Sequence, residues 1–252
     1  MFNENQIERY SRQIVLNDVG GKGQQKLLDG RVLIIGAGGR GATTALYLAA
    51  AGVGTIGILD AEDVELSNLH RQVIHFTSDI GRARMESARE KIEAVNPDVK
   101  VITYRECLSE VDLCGIVADY DFIVEGIDNL DVSFLINDAC VLAGKPYSRG
   151  RIMQLQGHAT TVIPGESACY RCISPEPPKE SNPTCTISGT LGVLPGIIGT
   201  IQATEAIKFL LGKGELLVNR LLTYSALKMS FLEVPLKRNT DCPVCGEVQV
   251  NN

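Results

Sequence analysis

The residues best suited to chemistry begin at Gly36-Ala37-Gly38-Gly39-Arg40-Gly41, between an apolar run that ends at Ile35 and the helix-forming stretch Ala42–Ala51. Glycines at 36, 38 and 41 permit a tight turn and a close approach of backbone to phosphate. The helix that follows offers free N–H groups and the positive end of its dipole. Asp60 ends the next apolar run, 19 residues beyond Gly41. A carboxylate at that point accepts hydrogen bonds from ribose hydroxyls. The pattern predicts a nucleotide site and leaves mononucleotide and dinucleotide open.

A second constellation is made of thiols. Cys169-Tyr-Arg-Cys172 and Cys242-Pro-Val-Cys245 are two Cys-x-x-Cys knuckles. Four thiolates fit a closed tetrahedral zinc site, which is structural because no position is left for water. The competing chemistry is a redox dithiol at a helix start. Cys185 stands just ahead of a long apolar helix, where a thiol gains nucleophilicity, with an inert loop thiol as the alternative. Cys107, Cys114 and Cys140 lie in apolar contexts and read as core residues. His70, His75 and His158 form no metal-binding pattern.

The elements that must position these groups follow from periodicity. Residues 1–30 read as a helical arm, with Ile7, Tyr10, Ile14 and Val15 at helical spacing and a break at Gly20-Gly21-Lys22-Gly23. Arg31–Gly36, Thr55–Asp60, Val99–Thr103 and Asp121–Glu125 read as strands. Ala42–Ala51, Ile80–Val95, Leu108–Val117 and Val132–Ala143 read as the helices between them. Such alternation predicts an α/β fold with a Rossmann-like, doubly wound, mostly parallel sheet over residues 31–145. In residues 146–252 the texture changes to antiparallel strands. Ile152–Gln156 and His158–Ile163 suggest a hairpin, Ser174–Asn182 a surface loop, Leu191–Leu211 a long helix, and Leu221–Tyr224 with Met229–Val234 two last strands. One continuous sheet in one domain, 1–252, is expected.

Composition removes other classes. The chain has 252 residues, 24 Lys+Arg against 30 Asp+Glu, and a net charge of −6. That balance argues against nucleic-acid binding. No apolar run reaches the ~20 residues of a membrane span. A polar, charged N-terminus gives no signal peptide, and eight cysteines without one point to a reducing, cytoplasmic setting.

Several further stretches carry a resemblance. These are Arg9-Tyr-Ser-Arg12-Gln-Ile, Asp60-Ala-Glu-Asp-Val-Glu-Leu-Ser-Asn-Leu-His-Arg-Gln72, Gly81-Arg-Ala-Arg84, Gly126-Ile-Asp128-Asn129, the Gly-x-Gly-Gly-x-Gly loop and the two cysteine pairs. Together they resemble, in order along the chain, the ThiF/HesA/MoeB-type adenylyltransferases of the ubiquitin-activating-enzyme superfamily. The resemblance implies ATP-dependent adenylation of the C-terminal glycine of a small ubiquitin-like sulfur-carrier protein ending in Gly-Gly. It places Gly36, Gly38, Gly39, Gly41, Asp60, Ser67, Asn68, Arg71, Gln72, Arg84, Asp128 and Asn129 around ATP, Asp128 on Mg²⁺, and Zn²⁺ on the four paired cysteines. It implies a homodimer in which Arg12 reaches the γ-phosphate of the other subunit. It also links Cys185 to the activated carrier in the thiazole-type relatives, whereas in the molybdopterin type that cysteine is dispensable. The carrier's tail would enter along the carboxyl edge of the sheet, under the Ser174–Cys185 loop.

Three positions depart from the family pattern. Arg84 stands where Lys is usual, Arg40 where an apolar residue is usual, and Glu125-Gly-Ile127 where an acidic-x-Thr pattern is usual. Two other readings compete: an NAD(P)-dependent oxidoreductase with structural zinc, and a paralogue that binds carrier or nucleotide without turnover.

Overall fold

The protein is described here from a computed structural model covering residues 2–106, 109–176 and 189–246. Eight strands form one sheet: β1 Arg31–Ile35, β2 Thr55–Leu59, β3 Lys100–Tyr104, β4 Phe122–Glu125, β5 Tyr147–Met153, β6 Gln156–Val162, β7 Arg220–Ser225 and β8 Ser230–Pro235. Their order is β3-β2-β1-β4-β5-β6-β7-β8. The first five are mutually parallel. The last four pair antiparallel, β5 taking part in both sets. The expected continuous, mostly parallel sheet with antiparallel C-terminal strands is what forms.

The helices are α1 Glu4–Ile14, α2 Gly20–Asp29, α3 Gly39–Ala51, α4 Arg84–Val95, α5 Glu110–Ala118, α6 Leu130–Leu142, α7 Tyr170–Ile173 and α8 Val193–Leu211. Val32, Ile34, Ile56, Ile58 and Phe122 point to one face and pack against α3, α4 and α8. Leu33, Ile35, Ile123 and Tyr147 point to the other, under α5 and α6. Alternation along each strand explains why both faces of these central strands read as continuous apolar runs.

Two expectations need correction. The N-terminal arm is two helices, and the glycine stretch lies inside the second instead of breaking the pattern. A Cβ at Gly23 would come within 3.0 Å of Leu211 Cδ2, and one at Gly30, just past α2, within 2.8 Å of Leu210 Cδ1. Close packing of α2 on α8 therefore outweighs poor helix propensity. The hairpin turns at 154–155, not at 157: Gln154 takes φ +53°, and Gln156 already pairs with Met153.

The polar interruptions of the long helix are buried anchors. Gln202 Nε2 donates to the carbonyls of Glu125 (2.9 Å) and Ser148 (3.1 Å). Glu205 Oε2 accepts from Thr161 Oγ1 (2.6 Å) and the Leu217 N–H (2.7 Å). Both residues tie α8 to the sheet behind the glycine loop. Among the described residues no helix is long and apolar enough to cross a membrane.

Candidate adenylation site

Strand order reverses across β1, which has β2 on one side and β4 on the other. A crevice therefore opens beyond the carboxyl ends of β1 and β4, the place where doubly wound sheets bind ligands. The glycine loop leaves β1 there. Gly36 has φ +96°, and its Cα faces the backbone of Gly126, with an added Cβ 3.0 Å from that carbonyl carbon. At Gly41 an added Cβ would lie 1.8 Å from the Gly36 carbonyl oxygen. Only glycine permits this close return of the loop on itself. Gly39 packs against Pro195 of α8. The loop thus delivers the first turn of α3, which has no side-chain cap, to the carboxyl end of β1.

Asp60 lies at the end of β2, 6% exposed. Its Oδ2 accepts from the Ala37 N–H (2.7 Å) and its Oδ1 from the Glu62 N–H (2.8 Å). Burial pushes its carboxyl up, while those two N–H groups and Arg84 oppose the shift. The side chain braces the loop, and this is a duty beyond the ribose contact expected of it.

His75, which the sequence pattern passed over, is a second brace. It is 4% exposed, with Nε2 3.2 Å from the Ala37 carbonyl and Nδ1 2.8 Å from Ser87 Oγ. The neutral tautomer carrying its proton on Nε2 donates to Ala37 and accepts from Ser87. Burial lowers this imidazole to about 4, helped by the nearby Arg84 and Lys91. The unfolded chain therefore binds this proton first. The contribution of His75 to stability is complete above about 6.5 and is lost as pH falls from there toward 4. His75→Gln is expected to flatten the fall of Tm with pH in that window, measured by thermal melts from pH 7 to 4. An unchanged slope would remove His75 from this role.

Between β2 and α4 the chain forms a short 3₁₀ turn, Leu66–Asn68. Asn68 Oδ1 accepts from Arg71 NH2 (2.5 Å), and its Nδ2 donates to Glu65 (3.2 Å). Ser67 Oγ also donates to Glu65. Gln72 is 3% exposed, and its Oε1 has no hydrogen-bond partner among the described residues. Its Nε2 lies 3.9 Å from where a Cβ on Gly38 would be. Arg84, at the start of α4, is 7% exposed, donates to the Asp63 carbonyl (3.1 Å) and pairs with Glu62. Its guanidinium is held at the rim by that anion.

Asp128 and Asn129 follow β4. Asn129 caps α6, its Oδ1 accepting from the Val132 N–H (3.2 Å). Asp128 Oδ1 accepts from Arg40 NH1 at 2.5 Å, while Arg40 NH2 donates to the Ile127 carbonyl at 2.6 Å. Arg40 is 2% exposed and the Asp128 side chain 39% exposed. The Arg at the usually apolar loop position is therefore a buried clamp on Asp128, whose side chain is part-exposed. A second buried pair lies beside it. Glu125 is 1% exposed, accepts from Ser133 Oγ (2.7 Å), and lies 3.5 Å from Arg149 Nε. Burial pushes Glu125 up, and Arg149 and Arg40 oppose it. Arg149 also stacks on Tyr170, 3.6 Å from the ring centre. Neither pair was legible in the sequence, because each joins residues brought together only by the sheet.

Arg12 is elsewhere. It lies exposed in the last turn of α1, and the next residue, Gln13, donates to the Ala51 carbonyl at the far end of α3 (3.1 Å). The 13 residues of α3 put its two ends about 18 Å apart. Arg12 is thus not brought to the crevice of its own chain. Cys185 and most of the Ser174–Cys185 loop lie outside the described residues.

The four paired cysteines do converge. Their sulfurs all lie within 4.8 Å of one another. Cys169–Cys242 and Cys172–Cys245 are 3.6 and 3.3 Å apart, and Cys169–Cys172 is 4.0 Å. A tetrahedral zinc with bonds near 2.3 Å needs sulfurs about 3.8 Å apart, so the donor set fits. Burial pushes the Cys169 thiol up. Burial works the same way on Cys242, yet the Cys245 and Val244 N–H groups with the neighbouring thiols bring it down to about 7. The cluster ties the segment after β8 to the start of α7, beneath α6.

With this geometry in place, comparison with known proteins decides the family. The ThiF family model matches residues 10–244. The chain belongs to the ThiF family. It is 46% identical over 248 residues to the SAMP-activating enzyme E1 of Haloferax volcanii, covering 98% of this chain and 92% of that one. It is 41% identical over 252 residues to the sulfur carrier protein adenylyltransferase of Thermus thermophilus, at 98% and 93% coverage. Against the adenylyltransferase and sulfurtransferase MOCS3 of Culex quinquefasciatus it is 42% identical but spans 57% of that protein. Among solved structures, Escherichia coli MccB with AMPCPP and MccA superposes with a TM-score of 0.83 at 25% identity, over 97% of this chain and 75% of MccB.

Proposed function

We propose that this ThiF-family chain adenylates the C-terminal glycine carboxylate of a small ubiquitin-like sulfur-carrier protein, with pyrophosphate as the other product. The observation that carries the reading is the crevice between β1 and β4, where the glycine loop, the Asn68–Arg71 turn, Arg84 and Asp128 share one edge of the sheet. The names of its archaeal and Thermus relatives supply the substrate class.

The chemistry asks little of the protein beyond position and charge. A carrier carboxylate oxygen bonds to the α-phosphorus of ATP, the bond to the bridging oxygen breaks, and pyrophosphate leaves with that electron pair. The carrier itself supplies the nucleophile. The loop N–H groups and α3 hold phosphate oxygens. Arg71 and Arg84 meet the negative charge that grows on the leaving group. Asp128, a part-exposed carboxylate just beyond β4, suits a divalent cation, and Mg²⁺ bound there would neutralise phosphate charge. The zinc knuckles hold the C-terminal segment and take no part in the reaction. ATP–pyrophosphate exchange is expected to depend on a Gly-Gly-ended carrier. Tight NADH binding without ATP binding would favour the oxidoreductase reading instead.

Arg12 completes the site from a second copy in this reading. It lies a helix length from its own crevice, beside a surface formed by Gln13, Tyr47, Thr200 and Thr204, where Tyr47 is 57% exposed. Mixing inactive Arg12→Ala and Asp128→Asn chains should restore about a quarter of wild-type exchange, because half of the randomly formed dimers would carry one intact site. No recovery, with dimer exchange shown by mixed tags, would place Arg12 outside the reaction.

A further inference from the structure

The antiparallel end of the sheet carries two arginines and a histidine that the adenylation chemistry does not use. In β5, Arg149 and Arg151 are two apart and so share a face. Directly opposite residues of antiparallel strands also share a face. Arg151 faces His158 of β6, His158 faces Thr223 of β7, and Thr223 faces Leu232 of β8. This ladder crosses four strands and begins beside Arg149, which pairs with Glu125 at the crevice. The alternate residues, Ile152, Ala159 and Tyr224, pack with Leu194 and Ile198 of α8 on the opposite face. The ladder face is open at its outer part, with Met153 50% and Leu232 65% exposed.

Arg149 has its counter-charge in Glu125, whereas Arg151, two residues on, has none among the described residues. His158 Nδ1 is buried without a hydrogen-bond partner among the described residues. Glu125, the acid of this region, is already engaged by Ser133 and Arg149. A chain of net charge −6 here leaves a cation, about 7 Å along β5 from Arg149, beside the half-buried ring of His158 on β6. Apolar Met153 and Leu232 flank them. We propose that Arg151 and His158 receive an acidic side chain from the carrier's C-terminal tail, upstream of its terminal glycine, as the tail runs along the open sheet face toward Asp128.

This inference rests on the adenylation reading and names what that site's partner must carry. Charge complementarity at such a face acts on recognition and leaves the chemical step alone. The test uses full-length protein and a Gly-Gly-ended carrier that supports ATP–pyrophosphate exchange. Arg151→Gln should raise the carrier KM about tenfold, with kcat and the KM for ATP unchanged. His158→Gln should raise it less. Replacing the acidic residues of the carrier tail by their amides should raise KM for the wild-type enzyme by the same factor, and should add nothing further with Arg151→Gln. Arg151→Glu should be rescued by a lysine at that tail position. Fluorescence anisotropy of labelled carrier, with Tm as a folding control, reads the same change as binding. Equal KM for acidic and amide tails, or an Arg151→Gln effect on ATP instead of on carrier, overturns the proposal while leaving adenylation intact. If no Gly-Gly-ended carrier supports exchange, the adenylation reading falls and takes this one with it.

Discussion

Asp128→Asn should cut pyrophosphate exchange roughly a hundred- to a thousand-fold while the protein stays folded. The substitution isolates charge from structure. Asp128 Oδ1 accepts from the buried Arg40, so truncation to Ala would remove the carboxylate from a guanidinium that is 2% exposed. Losing one partner of a buried ion pair costs stability and would confuse loss of fold with loss of function. The amide keeps an oxygen for Arg40 NH1 and removes only the negative charge on the crevice side. Loss of one group that serves charge neutralisation in a transition state costs roughly a hundred- to a thousand-fold in rate. Exchange should therefore fall by that factor, with Tm shifted by no more than a few degrees. Retained exchange would show that Asp128 holds no cation in the reaction and that its tie to Arg40 is its whole role.

Loss of one of the four converging cysteines has the largest expected effect on stability. Cys169, Cys242 and Cys245 are 1–2% exposed and sit in the same core as Ile136, Cys140 and Tyr147 of the sheet's second face. The segment from 236 to 246 lies beyond the last strand, and its described contacts centre on this cluster: Asn239 N–H donates to Cys172 Sγ and Arg238 donates to the Gly165 and Cys245 carbonyls. Metal binding to such a site is folding free energy. Cys242→Ser should lower stability by about 3–5 kcal/mol, a Tm drop on the order of 10 °C for a chain of this size. Atomic emission should find one zinc per wild-type chain and none in the variant. A wild-type chain that holds no zinc and releases titratable thiols as a redox pair would restore the dithiol reading.

What could be read from the chain and what could not divides along a physical line. Local patterns gave the core of the site: a β-branched run before Gly36, glycines where a Cβ would meet backbone at 1.8 Å, an acid at the end of β2. Each is set within about thirty residues, so spacing carries it. The convergence of the cysteine pairs was also legible, since two short knuckles suit one tetrahedral ion wherever they meet. Arg40 was visible as an odd residue in a glycine loop, but its partner is 88 positions away. His75 meets a carbonyl 38 positions back and a serine on α4, and nothing in its neighbourhood signals either. The glycines of α2 misled because their use is contact with α8, which propensity does not register. The hairpin boundary slipped because a non-glycine residue, Gln154, takes the left-handed turn position.

Adenylation requires that a carboxyl group of a partner protein meets ATP in the crevice between β1 and β4, where an oxidoreductase would hold a nicotinamide. Intact-mass spectrometry of Gly-Gly-ended carriers incubated with the enzyme, ATP and Mg²⁺ tests this most directly. One carrier should gain the mass of a single AMP, the gain should need its terminal glycine, and hydroxylamine should remove it. No carrier gaining that mass, while the enzyme binds NADH or holds ATP unchanged, would contradict the account.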